Sequence, residues 1–198
     1  MDETQTDMDR KSQIRQFHIL DFHDKFPHCP AAVLGGGPSL PSDLRRLPSG
    51  TILISVNNHA LHFCKPDFLV FMDIPNREQF PELADAIETF DGLLVSQTPL
   101  SDIRIQGEVD YWNGGFTSAL ATWFAEYIGC DPILLCGMDC YQGEVKYCHP
   151  RPDFYHPAMD APLEDHLNAW RPALDNLRHP ERVRAVSGPL ADIFGLYR

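Results

Sequence analysis

A doubly wound, mainly parallel α/β sheet with helices on both faces is the fold this sequence predicts, as a single Rossmann-like domain. Short apolar runs alternate with helix-length stretches from Ala31 onwards, each run stops at small or polar residues, and a glycine-rich turn follows the first. A strand that is apolar throughout is buried on both faces, as in a parallel sheet covered by helices. Polar residues at its C-terminal end then open onto a ligand crevice.

Ala31–Leu34 is the first such strand and runs into Gly35-Gly36-Gly37-Pro38-Ser39. Thr51–Val56 ends at Asn57-Asn58, Phe68–Met72 at Asp73, and Gly92–Val95 at Ser96-Gln97. Thr117–Ile128 is the strongest helix, because Leu120, Trp123, Phe124 and Ile128 recur at three- and four-residue steps before a stop at Gly129. Pro132–Cys136 reads as a strand leading into Gly137-Met138-Asp139-Cys140-Tyr141-Gln142-Gly143. A loop rich in Pro, His and Tyr comes next. Leu163–Leu177, with Pro172 inside it, reads as a helix, Val183–Val186 as a strand and Pro189–Phe194 as a short helix. Residues 1–16 are expected to form a flexible polar arm ahead of the domain at 17–198, with Phe17–Pro30 as a lead-in covering one edge.

The chain has 198 residues, 43% of them apolar and 22% charged, which suits one hydrophobic core. A formal charge of −12 with no extended Lys/Arg run excludes a duplex nucleic-acid footprint. No segment reaches the roughly 18 to 20 uninterrupted apolar residues of a membrane span, and the polar N-terminus is unlike a signal peptide, so the expected location is cytoplasmic. Six cysteines scattered through a chain of this size are expected to be free thiols. Homo-oligomerisation is compatible with all of these features.

Three glycines after a strand let backbone amides approach a phosphate, with Ser39 bonding an oxygen or capping the next element; a tight structural turn is the competing reading. On the phosphate reading, a branched side chain at Gly37 would meet the ligand rather than the protein. The loop matches neither the Walker pattern nor the dinucleotide fingerprint. Asn57 can read a base or ribose, and Asp73 can bind a ribose hydroxyl or a metal. Gly114-Gly115-Phe116-Thr117-Ser118 opens the strong helix with free amides and two hydroxyls, the makings of a second anion site or of a simple cap. Tyr141 and Tyr147 can donate phenol hydrogens to phosphate oxygens. Cys136, Cys140, Cys148 and His149 are zinc-ligand types at a spacing poor for a knuckle, so buried thiols are the favoured reading. His149, His156 and His166 surround the last crevice-facing loops, where an imidazole can serve as a general base.

In this order, Val33-Leu34-Gly35-Gly36-Gly37-Pro38-Ser39-Leu40, the strand ending at Asn57, the helix opening Thr117-Ser118, and Gly137-Met138-Asp139-Cys140-Tyr141-Gln142 followed by Tyr147 resemble a Rossmann-like superfamily. That superfamily holds the bacterial sialyltransferases of glycosyltransferase family 42, the archaeal 6-hydroxymethylpterin diphosphokinases, and proteins of phages and bacteria. The resemblance runs from about Ala31 to Leu196. For the sialyltransferase branch it implies glycosyl transfer from a CMP-activated sugar to a small-molecule or glycan acceptor. Gly35, Gly37, Pro38, Ser39, Asn57, Thr117, Ser118, Tyr141 and Tyr147 would then hold the nucleotide, with Asp73 standing where that branch has a second strand-end Asn; Gly36, Asp73 and Asp139 complete the nucleotide-binding candidates. The same resemblance implies a histidine base, His166 or else His156. For the diphosphokinase branch it implies ATP with magnesium, held by Asp73 and Asp139, and pyrophosphoryl transfer to a pterin alcohol. A third expectation is a non-catalytic phage or scaffold protein that keeps the nucleotide fold.

Overall fold

The computed structural model describes residues 16–72, 78, 80–105, 115–150 and 157–198. Its strands are β1 (Phe17–His18), β2 (Ala31–Leu34), β3 (Ile52–Val56), β4 (Phe68–Val70), β5 (Leu93–Ser96), β6 (Ile103–Arg104), β7 (Ile133–Cys136) and β8 (Val183–Ala185). They form one sheet in the order β1-β6-β5-β4-β3-β2-β7-β8, and every pairing is parallel. The helices are α1 (Leu40–Leu44), α2 (Pro81–Thr89), α3 (Thr117–Tyr127), α4 (Leu163–Asp175) and α5 (Ala191–Phe194).

The central strands are buried on both faces, which is why their sequences are apolar without alternation. All four residues of β2 and all four of β7 are fully buried. Successive residues serve opposite faces: Ala31, Val33, Ile133 and Leu135 join the core under α3, while Ala32, Leu34, Leu134 and Cys136 join the core under α1. A third cluster, Leu69, Phe71 and Leu94 with Leu83, Ala86 and Ile87, seats α2 on the same sheet.

Helix α3 packs on β2, β3, β4 and β7, so it is buried almost all round and carries little amphipathic contrast. Its one acidic side chain, Glu126, is buried yet used: the carboxylate accepts the backbone N–H groups of Arg178 and His179 just beyond α4. Helix α4 keeps Pro172 on an exposed position, while Trp170 turns inward edge-on to Phe116 at 4.8 Å and to Phe194 at 5.5 Å between ring centres.

Two strands escape the sequence pattern. The lead-in contributes β1, which pairs with β6 rather than lying over the edge as a loop. Each has two residues, too few for any periodicity to declare itself. The remaining strands and the long helices fall where the apolar runs place them, within a residue or two at most ends.

The order matters for function, because the chain winds outward from β2 through β3, β4, β5 and β6 and then returns to β7 on the other side of β2. That reversal makes the C-terminal ends of β2 and β7 the switch point of the sheet, where a parallel fold places its crevice.

Replacing Glu126 with Ala leaves two inward amides without their acceptor. We expect a loss of about 2 kcal/mol or more in urea unfolding. A change below about 0.5 kcal/mol would mean that water replaces the carboxylate.

Candidate functional site

The crevice at the switch point has a volume of about 530 Å³. Its floor is made by the turns after β2 and β7. Gly35 N–H donates to Cys136 O at 2.8 Å, and Gly37 N–H donates to Gly137 O at 2.8 Å, so the two loops continue the strand pairing past its end.

Two carboxylates lock this floor. Asp139 Oδ2 accepts Ser39 N–H at 3.0 Å and Ser39 Oγ at 2.8 Å. Asp43, on α1 and almost fully buried, accepts Gly137 N–H at 3.0 Å and the hydroxyl of Ser187 at 2.9 Å, with Ser39 Oγ 3.1 Å away. Burying a carboxylate costs free energy that only such donors offset.

The glycine loop therefore differs from an open phosphate cradle at one point, since the amide and hydroxyl of Ser39 already hold the carboxylate of Asp139. A Cβ on Gly37 would lie 2.1 Å from Asp139 Oδ2 and 2.7 Å from Gly137 O. It would meet the protein before it met a ligand, contrary to the sequence expectation. Gly36 is similarly close to the ring of His59, which a Cβ would approach to 2.8 Å.

Around this floor stand the other crevice-lining residues. Asn57 leaves β3 in the left-handed region at φ 52°, a conformation asparagine tolerates better than most residues. Ser55 Oγ donates to its carbonyl at 2.7 Å, and its N–H donates to Val70 O at 2.9 Å. Its side-chain Oδ1 is buried without a hydrogen-bond partner among the described residues. The turn after β7 also carries Cys140 and Tyr141 at φ 51° and 54°. This bend brings Tyr141 OH within 3.0 Å of Tyr147 OH, and Lys146 Nζ donates to the Tyr141 carbonyl at 2.7 Å. Tyr147 stacks on His59 with ring centres 5.3 Å apart.

Phe116, Thr117 and Ser118 bring the N-terminus of α3 to the crevice, with its free amides and positive dipole end. From α4 comes His166, its ring 5.7 Å from Tyr141. Its Nε2 is buried without a hydrogen-bond partner among the described residues.

Gly35, Gly36, Gly37, Asn57, Thr117, Ser118, Asp139, Tyr141, Tyr147 and His166 thus line one cavity. Ser39 belongs to its floor through Asp139, and Pro38 is exposed beside it. Asp73, Gly114 and His156 lie outside the described residues, as does the arm at 1–15. His59 and Lys146 are lining residues that sequence reasoning passed over. His59 directly follows the Asn57-Asn58 pair, and Lys146 directly precedes Tyr147, so adjacency to singled-out residues was the available signal.

All six cysteines are free thiols. Burial pushes the Cys140 and Cys148 thiols up to about 11. Among the described residues, no helix is long and apolar enough to cross a membrane.

No protein-family model matches the sequence, and no curated protein matches it. Solved structures do match the fold. The sialyltransferase CstII from Campylobacter jejuni, in complex with a substrate analogue, cytidine-5'-monophosphate, aligns at TM-score 0.54 with 16% identity, covering 86% of each chain. The same sialyltransferase with CMP-3FNeuAc aligns at 0.52 with 15% identity, over 85% of this chain and 86% of that one. Sialyltransferase CST-II with a trisaccharide acceptor and CMP aligns at 0.51 with 14% identity, over the same shares. The chain has its fold in common with these enzymes.

Gly37→Val should lower stability by about 2 kcal/mol or more, because Asp139 and the Gly137 carbonyl must both give way. Thermal unfolding measures this. A mutant as stable as the parent would mean that Asp139 swings clear without loss.

Proposed function

We propose that the chain is a glycosyltransferase that takes a nucleotide-activated sugar, of the CMP type, in the switch-point crevice. The observation that carries this reading is a convergence at one cavity. Two phenols 3.0 Å apart, the N-terminus of an eleven-residue helix and a histidine nitrogen with no partner among the described residues face the same space. The shared fold with an enzyme solved with CMP, a CMP-sugar analogue and an acceptor supports it.

In this reading the nucleoside lies over the loops at Gly35–Gly37 and Asn57, whose unpartnered Oδ1 accepts a hydrogen from the base or ribose. Asp139 holds Ser39 and so shapes that floor. The phosphate sits at the amides of Thr117 and Ser118, with Tyr141 and Tyr147 turning their O–H groups from each other to its oxygens. These donors stabilise the charge that grows on the leaving phosphate oxygen as its bond to the anomeric carbon breaks. The acceptor hydroxyl oxygen forms the new bond to that carbon. Its proton passes to His166 Nε2, and the nucleoside monophosphate leaves with the electron pair of the broken bond. The apolar wall of Phe116 and Trp170 excludes water that would otherwise compete as acceptor.

The ATP and magnesium alternative needs Asp139 as a metal ligand. Its Oδ2 is engaged by the amide and hydroxyl of Ser39, which leaves only Oδ1 for an ion. We therefore keep the glycosyl-transfer reading.

A thermal-shift panel of CMP, CTP, and ATP with magnesium tests it. CMP and CTP should raise the melting temperature in proportion to ln[ligand], and ATP should not. A flat response to every nucleotide would leave a fold without this function, as in a scaffold protein; a shift with ATP and magnesium alone would move the assignment to pyrophosphoryl transfer.

His166→Ala should lower turnover of a CMP-activated sugar by roughly 10²-fold or more while CMP affinity stays within about twofold, because the base acts on the acceptor. Steady-state kinetics beside the CMP thermal shift separate the two quantities. Normal turnover in the folded variant removes His166 from the chemistry and turns attention to His156→Ala.

A further inference from the structure

Behind the crevice wall the chain gathers a second group of side chains that the transferase reading leaves unused. His62 closes the 3₁₀ turn His59–His62, Glu82 stands in the first turn of α2, and His149 lies just past Tyr147 in the loop after β7. One potential ligand atom from each lies within 4.8 Å of the other two. We propose that His62, Glu82 and His149 form a binding site for one divalent transition-metal ion of the zinc class.

Two imidazoles and a carboxylate are a complete set of protein ligands for a zinc ion that keeps its fourth position for water. Tetrahedral ligands at zinc distances stand roughly 3.4 Å apart, so from a spread of up to 4.8 Å the three side chains must draw in and turn toward an ion. The segments need not move as wholes. The two imidazoles lie face to face, with ring centres 4.3 Å apart and planes 22° from parallel, so they must turn edge-on for their in-plane lone pairs to meet at one ion.

The surroundings supply the outer contacts that ligands need to hold their direction. Asn58 Nδ2 donates to Glu82 Oε2 at 3.4 Å. His149 Nε2 lies 3.0 Å from His59 Nδ1, which leaves Nδ1 of His149 as the nitrogen for the ion. A metal-bound imidazole carries its proton on the other nitrogen, so His149 would donate to His59 and fix the tautomer of that ring. His59 is the ring on which Tyr147 stacks. The ion is thus a positioning element: it would tie three separate segments behind His59 and Tyr147, and it would not touch a ligand in the crevice. His62 and Glu82 are exposed and give it a route in from solvent, whereas His149 is buried and anchors it.

This group differs from the one the sequence suggests. Cys136, Cys140 and Cys148 take no part, and only His149 is shared.

Zinc and cobalt binding to the chelator-stripped protein tests the site, with His62→Ala and Glu82→Gln as variants. Both positions are exposed, so both variants should fold. The parent should take up one equivalent of zinc with a rise in melting temperature. Cobalt should give visible ligand-field bands without the near-ultraviolet band of a thiolate-cobalt bond, and each substitution should weaken binding at least tenfold. No uptake, a thiolate band, or a weakening of less than tenfold in either variant overturns the site. The readout uses no nucleotide, so its failure and that of the transferase reading are separate results.

Discussion

The turns that leave β2 and β7 are clamped to each other by two carboxylates, and the crevice has a fixed floor because of that clamp. Parallel pairing alone would end at Leu34 and Cys136. Beyond it, backbone bonds from Gly35 and Gly37 keep the loops in contact, and Asp43 and Asp139 satisfy donors on both sides. Asp43 also reaches Ser187, so the loop after β8 is drawn into the same knot. The Oδ2 of each carboxylate is satisfied in this way, while Asp43 Oδ1 is buried with no hydrogen-bond partner among the described residues. The bonds at Oδ2 hold the two turns together as one floor.

That clamp also decides which part of the crevice has anion-binding capacity left over. The amide of Ser39 already has an anionic partner within the chain, and α1 has only five residues and a small dipole. The N-terminus of α3 has eleven residues behind it. The glycines after β2 are explained by packing against Gly137, Asp139 and His59, which a Cβ would meet.

How much of this could be read from the sequence depended on whether a feature was local. β2, β3 and β7 were legible because burial on both faces makes a strand apolar at every position, and α3 because a long helix repeats its pattern. β1 and β6 were not, since two-residue strands exist only through their partners. Helix α1 is too short to show a period. Asn57, Tyr141, Tyr147 and His166 share one crevice because loops after strand ends and the start of α4 meet at the C-terminal edge of the parallel sheet. The bond from Ser39 to Asp139 joins residues 100 positions apart, and no local pattern announces it. Likewise the histidine group behind the crevice draws on a 3₁₀ turn, a helix start and a loop, which become neighbours only when the sheet forms.

The charge of the chain sets a further condition on the crevice. With a formal charge of −12, the protein's field opposes the approach of a nucleotide phosphate, and it does so over about 8 Å at physiological ionic strength. Attraction must therefore come from groups that act at contact distance. Lys146 is the one Lys or Arg among the described lining residues, and its ammonium is committed to the Tyr141 carbonyl. Its direct contribution is the shape of the turn that presents Tyr141; its charge adds to the local potential. The remaining donors are neutral phenols and helix amides, whose bonds to an anion are short-ranged and directional. On the proposed reading, a crevice built in this way selects a phosphate by where its oxygens lie. It would give little attraction to anions that do not fit, as the proposed transferase needs if it is to release a charged nucleotide after each transfer.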